Sequence, residues 1–150
     1  MSQHFLDSSA LLNRYRRETG SQWVLDLPAT SERIVVARLA HIEVTSAIVR
    51  RGREPGITLE HVTNAMAALD REMQEIFEVI ELQRPVIPRA LSLARAHGLR
   101  AADAIQLACA LLSCPQAPAS SDFYLVSADE ELNAAATAEG LQVENPNRHR

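Results

Sequence analysis

The stretch His4-Phe-Leu-Asp-Ser-Ser-Ala-Leu-Leu-Asn-Arg-Tyr15 decides the fold. Its opening residues form a short apolar run that Asp7 interrupts, and from Ser8 the residues Ala10, Leu11, Leu12 and Tyr15 supply one helical face. Such a stretch reads as a strand feeding straight into a helix, running from Ser8 to about Thr19 with Gly20 as its stop. An aspartate at that junction either caps the helix or holds a cation at the edge of a sheet. One residue alone does not separate the two.

The same alternation continues along the chain. Ser21 to Leu27 has an apolar rhythm around Trp23, Val24 and Leu27, and Pro28 closes it. Arg33 to Ala37 is β-branched and predicts a second strand, followed by a helix from Leu39 to Arg51 that Gly52 and Pro55-Gly56 break. Thr58 starts a long helical pattern through Val62, Ala65, Met66, Leu69 and Met73. Glu75 to Leu82 predicts a third strand, Pro88 opens a helix that Gly98 closes, and Arg100 to Leu112 predicts the next helix. A Pro/Ala/Ser-rich loop spans Ser113 to Asp122, Phe123 to Val126 predicts a fourth strand, Asp129 to Glu139 a helix, and Leu141 to Val143 a last strand. Strands separated by helices pair in parallel through crossovers. The expected architecture is therefore α/β: a three-layer α/β/α sandwich on a central parallel sheet of four to five strands, with residues 1–150 as one domain.

Composition narrows the function classes. All 15 basic residues are arginine, so a phosphate loop of the Gly-Lys-Ser/Thr kind is excluded. A receiver domain and a phosphoryl-aspartate phosphatase or phosphotransferase are disfavoured on the same ground, since each needs a lysine that this chain does not have. A net charge of −4 argues against gripping nucleic acid by bulk positive charge, although arginines cluster in Arg14-Tyr-Arg-Arg17 and Arg50-Arg-Gly-Arg53. Cys109 and Cys114 point in different directions on one helix and read as small core residues, not as a disulfide or a zinc site. No stretch has the pattern of a secretory leader or the apolar length of a membrane span, which leads to the expectation of a soluble, cytoplasmic protein.

In open α/β sheets ligands bind beyond the carboxyl ends of the strands. Asp7 and Asp129 follow strands and so share that edge, whereas Asp122 precedes its strand and belongs to the opposite one. Glu43 interrupts the apolar stripe of its helix, and a carboxylate there is costly unless paired or bound to a metal. Asp103 stands just ahead of an apolar helical run. Each acid also has a purely structural account: Asp7 as a cap, Asp103 with Gln106 and Ser127 with Glu130 as capping pairs, Glu43 paired with Arg50. His41 and His97 read as bystanders, the former turned away from Glu43 and the latter at a helix C-terminus.

Five fragments in order, Phe5-Leu-Asp-Ser-Ser-Ala-Leu11, Ile42-Glu-Val-Thr-Ser-Ala-Ile48, Ala101-Ala-Asp-Ala-Ile-Gln-Leu-Ala108, Leu125-Val-Ser-Ala-Asp-Glu-Glu-Leu132 and Val143-Glu-Asn-Pro146, resemble the PIN-domain ribonucleases, specifically the VapC-type toxins. The likeness covers nearly the whole chain. It implies a catalytic, metal-binding quartet of Asp7, Glu43, Asp103 and Asp129, with Ser9 and Ser127 in support. It further implies Mg2+ or Mn2+ as cofactor, RNA as substrate, a VapB-like antitoxin as partner and a homodimer, with no role for a membrane. Three arginines, Arg14, Arg17 and Arg100, are candidates for flanking phosphates, and Tyr15 for a stacked base. The competing account is a catalytically silent PIN-like module that acts by binding another protein.

Overall fold

The computed structural model describes residues 1–116 and 122–150. Five strands, β1 (Ser2–Leu6), β2 (Ser31–Ala37), β3 (Glu78–Ile80), β4 (Phe123–Val126) and β5 (Gln142–Glu144), form one sheet in the order β3-β2-β1-β4-β5. Every pairing is parallel. Seven helices are present among the described residues: α1 (Ser8–Leu12), α2 (Ser21–Thr30), α3 (Arg38–Arg51), α4 (Leu59–Glu75), α5 (Val86–His97), α6 (Ala101–Ser113) and α7 (Glu130–Ala138).

Strand side chains alternate between faces, and the two cores follow that period of two. Phe5, Val35, Phe123 and Leu125 pack with Leu93, Leu107 and Leu132 of α5, α6 and α7 on one face. Their neighbours Leu6, Ile34, Val36 and Val126 pack with Leu11, Val24, Val44 and Leu69 of α1 to α4 on the other. The result is the three-layer α/β/α sandwich, with β1 at the centre of the sheet. No described helix is long and apolar enough to cross a membrane.

Several boundaries differ from those the sequence predicts, and each difference has a tertiary cause. The first helix ends at Leu12 instead of near Thr19, because Arg14 and Tyr15 turn inward to Glu72 of α4. The Arg14 side chain is only 5% exposed, in a pair with Glu72 at 2.8 Å. Pro28 does not close the second apolar run; α2 continues through it to Thr30. A proline has no N–H for the carbonyl four residues earlier, here that of Val24. Arg14 Nη1 donates to that very carbonyl at 3.1 Å, so the buried guanidinium compensates the bond the proline removes.

The third strand is confined to Glu78–Ile80, which among the described residues pairs solely with the carboxyl end of β2 at Val35–Ala37. The helix expected to open at Pro88 begins two residues earlier, at Val86, which leaves the proline in the first turn where no donor is lost. Thr58 does cap α4, its hydroxyl accepting from the His61 N–H at 3.1 Å. The loop expected over Ser113 to Asp122 lies largely outside the described residues. Gly20 holds a φ of 84° that a side chain would strain, and a Cβ there would collide with the Pro146 carbonyl.

Candidate active site

The carboxyl ends of β1 and β4 are adjacent because Leu6 is in register with Val126, and the Asp7 N–H extends that ladder to the Val126 carbonyl at 3.1 Å. Asp7 then caps α1. Its Oδ1 accepts from the Ala10 N–H at 2.9 Å and the Ser9 hydroxyl at 2.7 Å, and its Oδ2 accepts from the Ser127 hydroxyl at 2.5 Å. A carboxylate has about four acceptor positions, so three bonds leave roughly one for a ligand. Asp7 is 4% exposed. Burial pushes its carboxyl up to about 6 against the opposing pull of Ser127, Ala10 and Ser9, and the charge of Asp103 adds to the rise.

Ser127 is fully buried and ties two acids together: while donating to Asp7 it accepts the Asp129 N–H at 3.0 Å. Ser9 likewise accepts the Ala128 N–H at 3.0 Å, fixing the segment after β4 against the start of α1. Asp129 is itself the cap of α7, its Oδ1 accepting from the N–H groups of Glu131 at 2.9 Å and Leu132 at 3.1 Å. The expected Ser127–Glu130 capping pair is therefore not formed, because Ser127 is already committed to Asp7.

Glu43, on α3, does not pair with Arg50; its Oε1 accepts the Ser8 hydroxyl at 2.5 Å. Asp103 lies in the first turn of α6, whose cap position is Arg100 with no side-chain bond to the helix end. Gln106 is not its capping partner either. The Gln106 amide instead reaches Ser8 at 2.9 Å and Glu43 at 3.5 Å, bringing a helix of the opposite layer to α1 and α3 around the strand ends.

Asp103 is the electrostatic centre of the group. Partial burial raises its carboxyl above the ordinary value, the charges of Asp129, Glu43 and Glu131 raise it further, and the Arg100 guanidinium opposes them. Arg100 stands 3.6 Å from Asp103 and 3.8 Å from Asp129. Its side chain is 81% exposed, so this is a loose counter-charge that shows where positive charge is wanted.

The donor set suits a hard divalent cation: carboxylate oxygens in mutual repulsion, no thiol and no imidazole among them. Among the described residues no three acidic, histidine or cysteine side chains stand close enough to hold an ion together in the present rotamers. The fit is thus one of chemistry and convergence, with the exposed Arg100 among the acids and one acceptor position open on Asp7.

The structure brings Asp7, Glu43, Asp103, Asp129, Ser9, Ser127 and Arg100 to one edge of the sheet. Arg14 is not among them, being buried against Glu72, which also takes the Tyr15 hydroxyl at 2.7 Å. Arg17 is exposed and lines a cavity of about 480 Å3 between α1, α3 and α4, together with Arg16, Arg51 and His61. His41 and His97 face Asp70 and Glu139 instead of the acids. Three polar residues at the acidic edge had no role in the expected site: Ser8, Gln106 and Glu131. For Gln106 a signal existed, a polar side chain between Ile105 and Leu107 one turn beyond Asp103 and on its face, but a helix cap explains the same pattern.

Residues 4–138 match the PIN domain family profile. Ribonuclease VapC45 of Mycobacterium tuberculosis is 33% identical over 144 residues, covering 93% of this chain and 92% of that one. A toxin–antitoxin complex from Klebsiella pneumoniae contains a chain of the same fold, with a TM-score of 0.64 at 17% identity over 95% of this chain and 97% of that one. FitAcB from Neisseria gonorrhoeae gives 0.66 at 16% identity, with the same coverages of 95% and 97%.

Proposed function

Because the chain belongs to the PIN-domain family, we propose that it is a divalent-metal-dependent endoribonuclease, the toxin of a toxin–antitoxin pair, with residues 1–150 as a single PIN domain. A similar chain is a VapC ribonuclease and a structural relative belongs to a toxin–antitoxin complex, which supports RNA as substrate, a VapB-like antitoxin as partner and a homodimer as the assembly. Its place is the cytoplasm, where such a substrate and partner meet it.

The observation that carries the reading is the convergence of acids from four separate elements on one edge of the sheet, with Asp103 under the fields of Asp129 and Glu43 and itself adding to the rise of Asp7. Asp7, Asp103 and Asp129 would hold Mg2+ or Mn2+, and Glu43 would hold the ion or orient the attacking water. A bound divalent ion supplies neutralisation of the clustered charge, acidification of a water and stabilisation of the phosphorane oxygens. The chain supplies the rest. Ser9, Ala10 and Ser127 fix the Asp7 carboxylate. The Ser127 hydroxyl, bonded to both, ties the Asp7 carboxylate to the Asp129 backbone. Of the three candidate arginines, Arg17 and the loosely paired Arg100 stay exposed, and they would meet flanking phosphates locally without making the protein basic.

The test is cleavage of single-stranded RNA with and without Mn2+ or Mg2+, against Asp103→Asn. Cleavage that needs the ion and is lost in the variant is expected. Cleavage that persists in excess chelator, or in Asp103→Asn, refutes the assignment, and a correctly folded protein that cuts no RNA under any ion points to the protein-binding module instead.

A further inference from the structure

Gln106 is 2% exposed, and its Oε1 has no hydrogen-bond partner. An orphaned acceptor in a buried place destabilises by about 1–3 kcal/mol, so something must hold the amide in that orientation. The amide nitrogen explains it. Nε2 donates to the Ser8 hydroxyl oxygen at 2.9 Å and leans on Glu43 Oε1 at 3.5 Å, and because those two acceptors stand only 2.5 Å apart one N–H serves both, the second contact being the weaker. Turning the amide over would set its oxygen against the Glu43 carboxylate, acceptor against acceptor. The orphan is therefore the consequence of serving Glu43.

The bond to Ser8 also has a direction. A serine hydroxyl has one proton, and because its oxygen accepts from Gln106 that proton is sent to Glu43, at 2.5 Å, a short charge-assisted bond. One carboxylate oxygen is thus held by a Gln106–Ser8 relay that reaches it from a single side. Among the described residues Oε2 carries no bond and keeps its lone pairs.

We propose that Gln106, acting through Ser8, is a positioning residue for Glu43, clamping one carboxylate oxygen so that the other faces the cation or its water in a fixed direction. This rests on the nuclease reading of the acidic edge. Residues that orient metal ligands from outside the coordination sphere typically contribute about 10–100-fold in affinity or activity.

The experiment combines Gln106→Leu, which keeps the volume and removes the donors, with Ser8→Ala, Ser8→Thr and Glu43→Gln. Mn2+ binding is followed without RNA by the loss of the free-ion paramagnetic resonance signal, and kcat and KM are measured separately on RNA. Gln106→Leu and Ser8→Ala are each expected to weaken Mn2+ binding and lower kcat by about 10–100-fold with KM changed less than about twofold, and Ser8→Thr to restore both. In the Glu43→Gln background Gln106→Leu is expected to have no further effect, which a purely structural role would not predict. Wild-type Mn2+ affinity and kcat in Gln106→Leu, or effects that add in full to those of Glu43→Gln, overturn the proposal. Should Gln106→Leu not fold, Ser8→Ala decides by the same readouts, since its side chain lies in the first turn of α1. Full activity in Glu43→Gln would instead overturn the nuclease role of Glu43 itself, whereas an inactive Glu43→Gln beside an unaffected Gln106→Leu removes only the positioning role.

Discussion

Replacing Asp7 by asparagine should make the protein more stable at neutral pH while abolishing cleavage. The carboxyl rises from an ordinary 3.8 to about 6 because burial penalises its charge more than its three hydrogen bonds favour it. The folded state therefore holds the proton more tightly than the unfolded chain. The stabilisation is fully present below about pH 4 and is lost as pH rises through 6. At 1.36 kcal/mol per pH unit, carrying the ionised group above pH 6 disfavours the folded state by ~3 kcal/mol. Asparagine has no charge to bury, but its amide nitrogen meets Ser127 where Asp7 Oδ2 accepts, which forfeits a bond of about 1 kcal/mol. The net is a gain of ~2 kcal/mol at pH 7.5, or roughly 4–8 °C in melting temperature for a domain of this size. At pH 4 the wild type is protonated, and the variant should be the less stable by ~1 kcal/mol. Asp103 moves in the same direction but is common to both proteins. Thermal and urea unfolding of both proteins, in chelator and at several pH values from 4 to 8, supply the test. A variant that melts below the wild type at pH 7.5 as well as at pH 4, or a stability difference between the two proteins that stays flat between those values, refutes the reasoning.

Other perturbations have equally definite outcomes. Arg14→Ala strands Glu72 and unmasks the Val24 carbonyl, so urea unfolding should show a loss of about 3–5 kcal/mol, the range for breaking a buried pair. Gly20→Ala forces a side chain into a left-handed conformation and against Pro146, and should destabilise by at least about 2 kcal/mol in thermal melts. Arg100→Ala, measured as RNA binding in an inactive Glu43→Gln background, should reduce the slope of log affinity against log salt by about 0.7, the single-strand value for one phosphate contact. An unchanged slope would confine Arg100 to its acids.

What the sequence determined by itself was whatever its local pattern encodes. The short apolar run of β1, the β-branched run of β2, helical spacing in α3, α4 and α6, and the stops at Gly52 and Gly98 follow from local composition, from the helical period and from residues that break it. Topology then sorted Asp7 and Asp129 from Asp122, since a parallel sheet sends every strand end of one kind to one edge. Ser9 came from the family resemblance and not from topology, and it does donate to Asp7, two residues away.

Tertiary structure alone decided which polar group meets which. Ser8 finds Glu43 across 35 residues, Gln106 finds Ser8 across 98, and Ser127 finds Asp7 across 120. Arg14 leaves the surface for Glu72 and for the carbonyl that Pro28 orphans, which shortens α1 and extends α2 against their local signals. Hydrogen bonds and ion pairs reach only a few ångströms, so they leave no trace in the spacing of a chain until packing has brought their partners together.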